Sequence, residues 1–118
     1  MPAADFFDYE TAMRYCADDE SMWKDILQIY VEEGEEHLRN IPNFVKAKDW
    51  KSYQVEVHAI KSTSLNVGAT DLSAKAKAQE QLAKDGRYQE INGGYENFLI
   101  EYKKVLEAAE ELVFTAAV

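Results

Sequence analysis

The chain has only two histidines in 118 residues, so histidine chemistry can be searched exhaustively. His37 lies among Glu35, Glu36 and Arg39 on the polar part of its helix and reads as an ordinary solvated side chain. His58 differs. At about 100° per residue it falls about 120° from the centre of an apolar seam formed by Trp50, Tyr53, Val57 and Ile60, so it points outward or along a flank. Lys61 follows one turn later, and Ser62, Thr63 and Ser64 keep the surface low enough for a partner to approach closely.

A helix hairpin acts as a ruler here. If a turn is centred near Gly68 to Ala69, the residue facing His58 on the antiparallel neighbour lies near 78 to 80, which singles out Glu80. Helical spacing puts Lys77 and Lys84 on the same face as Glu80, one turn to either side. The constellation is an exposed imidazole, a carboxylate to orient it and two or three lysines around it. Neutral imidazole is a competent nucleophile at pH 7 without a dedicated base, and lysines stabilise a phosphoryl group it acquires. Hydrolysis or acyl transfer would need an activated water or an oxyanion hole, and the sequence supplies neither. It also lacks a phosphate-cradling glycine loop, a nucleophile elbow, zinc-ligand spacing and a nucleotide-binding fingerprint.

The elements that must hold these residues are helices. A short first helix is expected over Asp8 to Cys16, and Asp18, Asp19, Glu20 and Ser21 supply capping groups for the next. Its apolar stripe runs through Trp23, Ile26, Leu27, Ile29, Tyr30, Leu38 and Ile41, and Pro42 is expected to kink or interrupt it before Phe44 and Val45 continue briefly. Asp49 caps the helix that carries His58, which ends near Asn66, Val67 and Gly68. Thr70 is expected to cap a helix running to about Lys84, closed by Gly86. Ile91, Tyr95, Phe98, Leu99, Tyr102, Val105, Leu106 and Ala109 mark a last helix whose stripe keeps its phase across Gly93 and Gly94, although a break there fits equally. The expected fold is all-α: an antiparallel up-down-up-down four-helix bundle with a short extra N-terminal helix, one domain over residues 1–118.

Composition narrows the function. With 47% hydrophobic residues, two prolines and five glycines, the chain has the apolar surface for one core and too few breakers for a loop-rich β fold. No apolar run suits a membrane span and the start lacks the blocks of a secretory signal, so a cytoplasmic location is expected. The lone Cys16 reads as a buried small apolar residue. A net charge of −9 argues against nucleic acid. The acidity is N-terminal: residues 1–36 carry eleven acids and two bases, whereas 46–87 carry five acids and eight bases. That local excess suits an acidic partner protein.

The residues His58-x-x-Lys61-Ser62, with Gly68 ten positions after the histidine and Leu72 four after that, resemble the signature of histidine-containing phosphotransfer (HPt) domains of two-component signalling. Ile26 to Glu33 is similar to the family's second helix, and Asp49-Trp50 to the start of its histidine helix, so the resemblance covers nearly the whole chain. It implies a phosphorelay intermediate, in which His58 accepts a phosphoryl group from a receiver-domain aspartate or a kinase and passes it to another receiver aspartate. It implies that Lys61 stabilises the phosphate, that Glu80 orients the imidazole, and that Lys84 matches a position basic in some members. It further implies a carrier without kinase activity of its own, a monomer, no intrinsic cofactor, and Mg²⁺ supplied by the receiver. Ser62 stands where the family usually has glycine, and Lys75 and Gln79 stand where it favours leucine-like residues. The competing reading is a non-phosphorylated helical adaptor that binds partners through the same surface.

Overall fold

Among the described residues, three of the five α-helices begin on an aspartate whose side chain takes up amides of the first turn. The computed structural model describes residues 1–116, which form a 3-10 turn (Ala3–Phe6) and helices α1 (Tyr9–Tyr15), α2 (Glu20–Lys46), α3 (Trp50–Asn66), α4 (Thr70–Lys84) and α5 (Tyr88–Ala116). Asp8 accepts from the Thr11 amide, Asp19 from the Ser21 and Met22 amides, and Asp49 from the Ser52 amide. Each bond satisfies donors that a helix start leaves without partners. The described residues contain no strand.

Two boundaries differ from expectation. Helix α2 runs through Pro42 to Lys46 without interruption. Proline removes one amide donor, but Ile41 and Val45 on either side are buried, and the helix continues past it. Thr70 is the first helical residue of α4 rather than its cap, and Ala69 occupies the cap position with no side-chain bond. The turn before it is set by Gly68 at φ +88°, and the Gly68 and Ala69 amides donate to the Leu65 and Ser64 carbonyls. Helix α5 continues unbroken across Gly93 and Gly94.

Helix α3 packs on α2 and α4, and α5 packs on the same two helices, so the four long helices enclose one core. Leu27, Tyr30 and Ile41 of α2, Tyr53, Val57 and Ile60 of α3, Leu72 and Ala76 of α4, and Ile91, Phe98 and Tyr102 of α5 fill it. Full burial of a large apolar side chain stabilises by about 1.5–3 kcal/mol, so this interior is the main support of the bundle. Ile29, assigned to the α2 stripe, is exposed instead. Trp50 closes one end, half-buried and stacked on Tyr88 at 4.7 Å. Cys16 is buried and free.

At the other end α1 is tied to the α3–α4 turn. The Asp8 amide donates to the Gly68 carbonyl at 2.7 Å, and the Trp23 indole donates to the Val67 carbonyl at 2.9 Å. A Cβ on Gly68 would lie 2.6 Å from the Asp8 carbonyl oxygen, so glycine is required both for its positive φ and for this approach.

Candidate functional site

The α3–α4 hairpin brings His58 and Glu80 together. His58 projects from α3 with 57% of its side chain exposed, while the Glu80 side chain is only 6% exposed. His58 Nδ1 lies 2.5 Å from Glu80 Oε2. The other carboxylate oxygen is also engaged, because Lys61 Nζ donates to Glu80 Oε1 at 2.7 Å. One buried carboxylate therefore holds two α3 side chains that are one turn apart.

Burial works to raise the Glu80 carboxyl pKa. The hydrogen bonds from Lys61 and His58, with the Lys61 charge, outweigh it and hold the group below its ordinary value of 4.5. At neutral pH Glu80 is a carboxylate, which can only accept. In a neutral His58 ring the proton that meets this carboxylate is the one on Nδ1, which leaves the lone pair on Nε2. An exposed imidazole held at one nitrogen has the chemistry to act as a nucleophile through the other.

The remaining expected residues divide. Lys84 Nζ is 3.8 Å from Glu80 Oε2 and half exposed, so it adds positive charge beside the ring. Lys77 is exposed and the structure does not bring it to Glu80. Lys61, expected as the phosphate-stabilising residue, rests on Glu80, a contact that its spacing in the sequence does not reveal. His37 is a correction. It is not solvated: its side chain is 15% exposed, and Nδ1 lies 2.8 Å from Glu56 Oε2, an oxygen that also accepts from Asn40 Nδ2 at 3.0 Å. Glu56 faces α2 whereas His58 faces α4, so the two histidines belong to opposite flanks of α3.

Two further contacts join α3 to α4 and were missed. Tyr53 Oη donates to Gln79 Oε1 at 2.6 Å, and Ser73 Oγ donates to the Lys61 carbonyl at 2.8 Å. The hairpin ruler applied to Lys61 reaches residues 75 to 77, about one turn past Ser73, so it does not reach the second contact. The departures at Lys75 and Gln79 are accommodated without apolar packing: Gln79 takes the Tyr53 hydroxyl, and Lys75 lies on the surface at 3.4 Å from Glu101. Among the described residues, no group of three or more His, Cys, Asp or Glu side chains is placed to share a metal ion. No helix among them is long and apolar enough to cross a membrane.

The family model for the Hpt domain matches residues 25–113, well over half of the chain. The match starts inside α2, so the 3-10 turn and α1 lie outside it, a shorter span than the motif resemblance implied. No curated protein and no solved structure matches the chain significantly.

Proposed function

The chain belongs to the Hpt domain family, whose members carry phosphoryl groups in two-component signalling and interact with receiver domains and kinases; from that premise we propose that His58 is the phosphoryl-accepting residue of a phosphorelay intermediate. The observation that carries this reading is the His58–Glu80 pair, an exposed ring anchored at Nδ1 by a buried carboxylate.

The Nε2 lone pair attacks the phosphorus of a receiver aspartyl phosphate. An N–P bond forms as the acyl O–P bond breaks, and the electron pair of that bond leaves on the aspartate as a carboxylate. The ring then bears a phosphoryl group on Nε2 and a proton on Nδ1, a cation whose proton points at Glu80. The same steps in reverse deliver the group to the next receiver aspartate. Lys61 turns from Glu80 toward the phosphoryl oxygens, and Lys84 adds charge on the same side. The receiver supplies Mg²⁺ and the acidic pocket. The domain itself is a carrier without kinase activity, and it works as a cytoplasmic monomer.

The bundle that supports this chemistry is read as one domain over residues 1–118 with an antiparallel up-down-up-down course. The short connections and the neighbours of each helix favour that course. The test is incubation with receiver domains of the source organism, each phosphorylated beforehand. Acid-labile, base-stable phosphate on the domain, lost in His58→Gln, is the expected result. No transfer from any receiver would favour an adaptor that binds without being phosphorylated.

A further inference from the structure

The His58–Glu80 contact joins α3 and α4, which pack directly on each other. The residues that α4 buries are Leu72, Ser73, Ala76, Glu80 and Ala83, mostly small ones, so directional bonds add to the packing in setting the register. Two such bonds flank the pair. On one side Tyr53, five residues before His58, donates its hydroxyl to Gln79, the residue next to Glu80. On the other side Ser73 donates to the carbonyl of Lys61, the second α3 residue that Glu80 holds. Any rotation or sliding of α4 that carries Glu80 away from the ring must also stretch one of these bonds.

We propose that Tyr53, Gln79 and Ser73 are positioning residues for phosphotransfer, acting as two interhelical clamps that hold Glu80 in register with His58. The inference rests on the reading of His58 as the phosphoryl acceptor. Tyr53 is fully buried and Ser73 is nearly so, and each hydroxyl that loses its bond would be left in a largely buried place. Burial pushes the Tyr53 phenol well above its usual pKa, so it remains a donor at any working pH. A displacement of about 1 Å at a reacting group can cost up to about 100-fold in rate, so a small loss of register is enough to matter.

The experiment compares wild type, Tyr53→Phe and Ser73→Ala, substitutions that remove a hydroxyl and keep nearly all of the packing. The nitrogen shifts of the His58 ring in ¹⁵N-labelled protein report the tautomer, and a phosphorylated receiver reports the transfer rate. Circular dichroism first establishes that each variant is folded. Wild type should show one tautomer, protonated at Nδ1. Each variant should show a mixture of tautomers and transfer slowed on the order of tenfold. A single Nδ1-protonated tautomer with wild-type transfer in both variants would overturn the proposal. A wild-type domain that accepts no phosphate would overturn the assigned function, and the tautomer readout would still decide whether the clamps position the ring.

Discussion

His58 and Glu80 are twenty-two residues apart in the chain and 2.5 Å apart across the α3–α4 hairpin. The contact is possible because Gly68 turns the chain at φ +88°, and because α4 turns a buried carboxylate, rather than another apolar side chain, toward the exposed ring.

Because Lys61 is bonded to that carboxylate, Lys61→Ala should cost more than an ordinary surface substitution. It leaves one oxygen of a buried carboxylate without its donor, so a loss of about 1 kcal/mol is expected in urea denaturation. The lifetime of the phosphorylated form should also shorten. Unchanged stability and lifetime together would make Lys61 a bystander.

The glycines should separate by position. Gly68→Ala must adopt a positive φ and press its Cβ against the Asp8 carbonyl oxygen, so it should destabilise by about 2 kcal/mol or more. Gly93→Ala places a methyl group where nothing lies within 4 Å, in the interior of α5, and should stabilise by up to about 1 kcal/mol. Melting temperatures of the two variants check both signs.

Acid stability follows from Glu80. Its folded pKa lies below the ordinary 4.5, so its ionisation favours the folded state above about pH 4.5, and that contribution is lost as pH falls through the folded value. Wild type should therefore lose stability below pH 4.5 more steeply than Glu80→Gln, as read from melting curves between pH 6 and about pH 3. Parallel curves would show that the carboxylate gains nothing from Lys61 and His58 in the folded protein.

The sequence made the starts of α1, α2 and α3 and the His58–Glu80 pair legible because these depend on local rules: aspartates at helix starts, glycine at a left-handed turn, and a fixed rise along a hairpin. His37 was misread for the opposite reason. Its sequence neighbours Glu35, Glu36 and Arg39 are charged, while the residue that covers it, Glu56, comes from another helix. The continuation of α2 past Pro42 goes with the burial of Ile41 and Val45, a tertiary effect that no local preference encodes. The attachment of Lys61 to Glu80 was also hidden, because spacing places a long side chain on a face without saying which of several charges it meets.

The central claim is that the phosphoryl group is carried on Nε2 of His58 while Glu80 keeps the proton on Nδ1. The most direct measurement is ¹H–¹⁵N and ³¹P correlation on the ring of the domain phosphorylated by a receiver. The account predicts phosphorus coupled to Nε2 of His58 and a retained Nδ1 proton, which is lost or broadened in Glu80→Ala. Phosphate on Nδ1, on His37, or on no histidine at all would contradict it.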